Sequence, residues 1–415
     1  MASSRVLIPM LHFYPDHPSG SARLAYDEAR FLSGRGHEVW VIAQDASRSK
    51  PECEAVDGLK VLRYPTPSYG LFDPRRVQGH QSRTKTLLEH HLKSPVRLVH
   101  GHSLLNYEGA RELFGPSARM VYSVHSPVAL EMLARRGEGS LLSRVHASLG
   151  SRLTHLLERK SLEESHSVIA DSQYTRTLLG QLHGAWAKEK TKVIPGWVDP
   201  DHFKIAPDRQ ILKAKLGWPR EVPVFFTLRR LVPRMGIDLL LRSLREVHDQ
   251  GLDFRLVIGG EGPLRPKLEA LTKTLGLSDR VRFLGLVPEG DLPALYAAAD
   301  AFLLPSTVLE CFGLIVLESL ACGRPVLATP VGAIPEVLGR FEPAWIAEEA
   351  TATALARRIA GFLKGELPAH PPEKLREGVI RHYSRERVLE ELTAEALGTR
   401  EAHPVLPAAS AGGGR

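Results

Sequence analysis

Short apolar runs rich in Val, Ile, Leu and Phe recur along this chain, and stretches of helical periodicity lie between them. That alternation constrains the fold more than any other feature. A strand followed by a helix returns to the sheet as a parallel neighbour, so the repeat predicts βα units. In the first half the runs are RVLIPM (5–10), EVWVIA (38–43), VRLVHG (96–101), ARMVYSV (118–124) and HSVIAD (166–171). Between the first two, SARLAYDEARFLSGRG (21–36) reads as a helix closing on Gly34 and Gly36. The pattern breaks around 195–221, where PGWVDPDHFKIAPDRQ is rich in Pro, Gly and Asp and predicts a linker. It restarts with VPVFFTL (222–228), FRLVIGG (254–260), RVRFLGL (280–286), DAFLLP (300–305) and RPVLATP (324–330).

The expected fold class is therefore α/β, with two Rossmann-like, doubly wound parallel-sheet domains over residues 1–200 and 201–380. A ligand is expected in the cleft between them, beside the carboxyl ends of the strands. Residues 381–401 predict a C-terminal helix packing back toward the first domain. The tail 402–415 lacks core-forming residues and is expected to be disordered.

Composition narrows the function classes. No run of about 18 apolar residues exists, so a membrane span is not expected. The first apolar run ends by Pro9, too short for the core of a secretory signal. Three cysteines, Cys53, Cys311 and Cys322, fit no metal-ligand spacing and read as reduced thiols of a cytoplasmic protein. The net charge is +7, and residues 1–205 hold 27 basic against 21 acidic side chains. This uneven excess suits a solvated surface, an anionic acceptor or peripheral contact with the inner face of an anionic membrane. Nucleic acid is not an expected partner, because aromatic residues do not interleave with the basic ones and no helix-turn-helix or zinc spacing occurs.

The segment 307–338 carries the most chemistry. Glu310 and Glu318 bracket Phe312-Gly313-Leu314, where a loop should become a helix. A helix start offers free N–H groups and a positive dipole end, which suits a phosphate. If one helix spanned both acids they would lie ~12 Å apart. That is too far to share a proton or a metal, and suited to gripping two ends of an elongated ligand.

This segment resembles the signature of the retaining glycosyltransferase family 4, the glycosyl transferases group 1, whose members have the GT-B fold. The two glutamates are followed by Gly323-Arg324-Pro325-Val326 and then Gly332-Ala333-Ile334-Pro335-Glu336. The resemblance extends over VIADSQYTRTLL (168–179), VIPGWVDPDHF (193–203), TLRRLVPRMGIDLLLRSL (227–244), VIGGEGPLRPKLEAL (257–271) and VRFLGLVPEGDLPALYAAADAFLLPS (281–306), in the family's order. It implies transfer of a hexosyl group from a nucleotide-sugar, a UDP- or GDP-sugar, to a hydroxyl of a glycan, glycolipid or small-molecule acceptor. It also implies retained anomeric configuration and no cofactor or essential metal. The nucleotide-sugar is a substrate, and the first domain would face the acceptor.

The resemblance also implies site roles. Arg230 matches the arginine that stabilises the leaving diphosphate. The family's lysine position holds Met235, which cannot offer a charge, so Arg229 or Arg234 would supply it. Glu310 would accept donor-sugar hydroxyls and Glu318 ribose hydroxyls, the plain alternative for either being a helix cap or ion pair. Phe312, Gly313 and Leu314 would offer backbone N–H groups, and Leu286 and Val287 backbone contacts to the base. Gly20, in a loop with a single glycine, matches the turn that approaches the donor phosphates. His125 matches the histidine that hydrogen-bonds the donor sugar, and His100 and His102 would line the acceptor side. Trp197 replaces a small residue and would either pack near the hinge or reach the acceptor. Two rival readings remain: a GT-B epimerase or phosphorylase, and a non-catalytic partner protein that binds nucleotide-sugar.

Overall fold

The computed structural model describes residues 4–17, 19–67, 74–134 and 141–399, with backbone only at 74, 132–134 and 141–149. It contains two compact units, one running to Pro195 and resuming at Val388, the other Gly196–Arg387. The expected disordered tail lies outside the described residues.

The first unit is built on eight strands: β1 (Arg5–His12), β2 (Glu38–Asp45), β3 (Cys53–Val56), β4 (Leu59–Pro65), β5 (Leu98–Gly101), β6 (Arg119–Val124), β7 (Ser167–Ala170) and β8 (Thr191–Val193). Their order is β3-β4-β2-β1-β5-β6-β7-β8, and every pairing is parallel except β3 with β4. Val6, Leu7 and Ile8 are fully buried, which explains the unbroken apolar run of β1: helices cover both faces of the sheet. Ser19 caps the helix Gly20–Gly34, its Oγ accepting the Ala22 N–H at 3.4 Å.

The second unit has five parallel strands: β9 (Val224–Leu228), β10 (Arg255–Gly259), β11 (Val281–Gly285), β12 (Ala301–Leu304) and β13 (Val326–Ala328). They run in the order β11-β10-β9-β12-β13. The strand order reverses at β9, and the crevice beyond the carboxyl ends of β9 and β12 is where such sheets hold ligands.

The segment 195–221 is not a linker. Gly196 packs so closely that a Cβ there would lie 2.8 Å from the side chains of Phe312 and Leu314. Trp197 and Phe203 are buried, and Arg209–Lys215 is a helix capped by Asp208. Arg376 ties the segment down by donating to the carbonyls of Pro200, Phe203 and Ala321. Its Pro and Gly residues thus shape a packed turn of the second unit, and the unit begins at Gly196 rather than 201. The C-terminal helix starts at Arg385, separated from Pro372–Tyr383 by a break at Ser384. From Val388 onward it belongs to the first unit, where Glu395 accepts from Ser167 and Lys192. Among the described residues no helix is long and apolar enough to cross a membrane.

Candidate active site

At the carboxyl end of β9, Arg229 is 8% exposed, while its neighbour Arg230 is exposed. The guanidinium hydrogen-bonded to Glu310 is that of Arg229: its Nη2 donates to Glu310 Oε2 at 2.6 Å and to Ser306 Oγ at 2.8 Å. Ser306 in turn donates to the same Glu310 oxygen at 2.7 Å. Burial pushes the Glu310 carboxyl up, but the Arg229 charge, the two hydrogen bonds and the nearby Arg234 charge together hold it below its ordinary value. The Nε of Arg229 is buried and has no hydrogen-bond partner. A buried cationic donor left open is costly unless a ligand completes it.

Met235 accounts for part of this arrangement. Its sulfur sits 2.6 Å from Arg229 Nη2, at the end of the 3-10 turn Pro233–Met235. Arg234 donates to the Leu309 carbonyl at 3.1 Å, while the Thr307 N–H donates to the Arg234 carbonyl. Both arginines thus place charge near Glu310. A lysine at 235 would set an ammonium against the Arg229 guanidinium. Met235→Lys is expected to lower the melting temperature of the ligand-free protein by a few degrees, a cost of ~1–2 kcal/mol. A bound diphosphate should reverse that loss, which thermal melts with and without nucleoside diphosphate will show.

Glu310 stands on a tightly built turn. Leu309 has φ +55°, a strained conformation for a branched side chain. The Ala333 N–H donates to the Glu310 carbonyl at 2.8 Å. The helix Leu314–Ala321 begins four residues after Glu310, with Gly313 at its N-cap, so the separation expected for one helix spanning both acids does not apply. Phe312 is buried, its ring 6.1 Å from that of Tyr383. Glu318 is 4% exposed and accepts the Tyr296 hydroxyl at 2.7 Å, which engages one carboxylate oxygen inside the unit. Leu286 is 73% exposed just beyond β11, and Val287 is half-buried beside it.

In the first unit, Gly20 opens the helix Gly20–Gly34 and is exposed. The three histidines form one hydrogen-bonded series that the sequence reading did not contain. His125 Nδ1 lies 2.8 Å from Asp171 Oδ2, and His125 Nε2 lies 2.9 Å from His102 Nδ1. His102 Nε2 and His100 Nδ1 each lie 2.7 Å from an oxygen of Glu28, and His100 Nε2 lies 2.8 Å from Ser123 Oγ. Both nitrogens of His125 are thus engaged within the unit, so His125 does not offer one to a sugar hydroxyl in this arrangement. His100 is fully buried and His102 nearly so, which removes both from an acceptor-lining role. Glu28, His100 and His102 bring ligand-type atoms within 4.8 Å of one another, but hydrogen bonds already saturate the three side chains.

Sequence reasoning missed Glu28, Asp171 and Ser306. Glu28 had a readable signal, an acid inside the apolar stretch LAYDEARFL, of the kind that marks Glu318. Ser306 and Asp171 each lie just past a strand end, where ligand-facing residues concentrate.

Two doubly wound α/β units, the second with a cationic crevice at its switch point, define the class of folds built from two Rossmann-like domains. Residues 18–202 match the domain described as glycosyltransferase family 4, and residues 208–381 the one described as glycosyl transferases group 1. The chain belongs to glycosyltransferase family 4. It is 32% identical over 218 residues to the 2-deoxystreptamine glucosyltransferase of Streptomyces kanamyceticus, covering 52% of this chain and 56% of that one. Over 408 residues it is 29% identical to one of the subunits of the human phosphatidylinositol N-acetylglucosaminyltransferase, covering 95% of this chain and 76% of that one. The Anabaena protein HepE, solved with UDP and glucose, superposes with a TM-score of 0.71 at 20% identity, covering 96% of this chain and all of that one, which shows the GT-B fold.

Proposed function

We propose that this protein transfers a hexosyl group from a nucleoside-diphosphate sugar to an acceptor hydroxyl, and that the second unit holds the donor. The observation that carries the reading is the buried Arg229 with its open Nε, paired to Glu310 at the switch point of the sheet. Arg229, Arg234 and the start of the helix Leu314–Ala321 gather positive charge where a leaving diphosphate would need it. Glu310 keeps one oxygen for Arg229 and Ser306, which leaves the other to accept a sugar hydroxyl. On this reading Arg229, not Arg230, takes the role of the phosphate-binding arginine.

The family resemblance supports retention of configuration, through front-face attack in which the leaving diphosphate takes the acceptor proton, without an essential metal. The excess of basic over acidic residues in the first half supports an anionic acceptor such as a glycolipid, presented at a membrane surface. The name of the human relative, which refers to phosphatidylinositol, points the same way.

A thermal-shift panel of uridine, guanosine and adenosine diphosphate sugars tests the donor site. A true donor at ~100-fold its dissociation constant stabilises by ~2.7 kcal/mol, and Arg229→Ala should abolish the shift. If no nucleotide-sugar shifts the melt, the donor site is misassigned. Binding without turnover across a panel of acceptors would favour the non-catalytic partner reading, for which Met235 is the supporting observation.

A further inference from the structure

The series Asp171–His125–His102–Glu28–His100–Ser123 joins groups from four parts of the first unit. Glu28 lies in the helix Gly20–Gly34, and Asp171 lies just past β7. His100 and His102 lie in and just past β5, and Ser123 and His125 in and just past β6. Its protons can be placed by elimination. Glu28 is fully buried and both of its oxygens face imidazole nitrogens at 2.7 Å. A carboxylate only accepts, so His100 must carry its proton on Nδ1 and His102 on Nε2. His100 Nε2 faces the Ser123 hydroxyl at 2.8 Å. A neutral His102 presents a lone pair at Nδ1, and the group facing it is His125 Nε2 at 2.9 Å. His125 must therefore donate from Nε2. Its Nδ1 faces the Asp171 carboxylate, so it must donate there as well. A ring that donates from both nitrogens is an imidazolium.

We infer that Asp171, His102 and Glu28 together hold His125 as a permanent cation, with Glu28 acting as a positioning residue that never touches it. The groups facing His125 are Asp171 from beyond β7, His102 from beyond β5 and, through His102, Glu28 from the helix; His100 stands behind Glu28. The electrostatics agree. Burial pushes Glu28 up, but the hydrogen bonds it accepts from His100 and His102 help to hold it below its ordinary carboxylate value. Burial drives His102 down to about 4, so it stays neutral. Burial alone would lower His125, but the Asp171 charge and hydrogen bond and the Glu28 charge outweigh it and raise it.

The functional consequence rests on the glycosyl-transfer reading. An imidazolium with both N–H groups committed has no lone pair and cannot be a general base. What its 15% exposed side chain offers is a fixed positive charge, which suits an anionic ligand such as a diphosphate. A free imidazole loses that charge near neutrality, whereas the Asp171 and Glu28 charges move that loss to higher pH for His125.

Glu28→Gln removes the anion and replaces one accepting oxygen by a donating amide, which favours the opposite tautomer of His102 and a neutral His125. Imidazole 15N NMR of the full-length protein, with His125 assigned through His125→Gln, reads the outcome directly. In the wild type both His125 nitrogens should be protonated at pH 7. In Glu28→Gln the titration midpoint of His125 should fall by roughly one pH unit or more. Ser123→Ala, at the far end, should leave the midpoint in place. If Glu28→Gln does not fold, Asp171→Asn tests the same charge from the other side and should lower the midpoint too. A neutral His125 at pH 7, or a midpoint unmoved in the folded variants, overturns the inference. The pH profile of kcat/KM separates the second claim: the rate of Glu28→Gln should fall as pH rises through the new midpoint. A lowered midpoint with an unchanged rate profile would overturn the positioning role. The donor-site reading stands or falls separately, on the nucleotide-sugar thermal shift.

Discussion

Glu310→Ala will leave the second unit with a buried guanidinium and no carboxylate to balance it. Removing one partner of a buried pair typically costs ~3–5 kcal/mol, because the remaining charge stays desolvated. Arg229 is 8% exposed and its Nε is already open, so the surroundings have little left with which to compensate. If Glu310 also grips the donor sugar, turnover should drop by roughly a hundredfold to a thousandfold, since each 1.4 kcal/mol is about tenfold. Glu310→Gln separates the two contributions. It keeps the shape and one accepting oxygen but removes the charge, so its melt should fall less than that of the alanine variant while its turnover stays low. Wild-type turnover in Glu310→Gln would remove the acid from the mechanism. The pH dependence has a definite sign. The carboxyl is held below its unfolded value of 4.5, so the pair contributes fully above that pH and its contribution fades as pH falls toward the folded value.

Gly332→Ala should be nearly as damaging without touching any charged group. Gly332 has φ +65°, and a Cβ built there would lie 2.1 Å from the Glu310 carbonyl oxygen. The left-handed conformation alone costs a non-glycine residue ~1–2 kcal/mol. The clash adds to this, because a backbone carbonyl cannot rotate aside as a side chain can. It would push Glu310 off the turn that the Ala333 N–H holds. A loss of ~3 kcal/mol or more is expected, a melting shift on the order of 6–12 °C for a unit of this size. Gly365 is the control. Its φ is +72°, but no atom lies within 4 Å of its Cβ position, so Gly365→Ala should show the conformational cost alone. Equal melting temperatures for the two variants would mean that the turn yields and that Gly332 does not position Glu310.

The strands that the sequence reading omitted show what local pattern cannot carry. β4 reads LKVLRYP, and Lys60, Arg63 and Pro65 interrupt its apolar run. Arg63 is nevertheless 3% exposed, because Asp16 from the β1 side and Glu54 from β3 pair with it. A buried arginine is tolerated only where distant carboxylates meet it, and no window of neighbouring residues contains that information. The edge strands β3 and β8 are too short to show a period. The Arg229-Arg230 pair fails for a related reason. The two residues are chemically identical, and only the burial of Arg229 against Ser306 and Glu310 separates them.

What the sequence determined by itself was the architecture and the family. The alternation of buried strands with helices forces parallel sheets, and the blocks from 168 to 338 place the acids and arginines in a recognisable order. Both are local properties, set by residue type and spacing along the chain. Tertiary structure alone decided which arginine meets Glu310, how the Pro- and Gly-rich stretch after Pro195 packs, and which charge state His125 holds. Each of those outcomes depends on groups tens to hundreds of residues apart meeting within hydrogen-bond distance in a buried setting. There, an unpaired charge is costly enough to select a single arrangement.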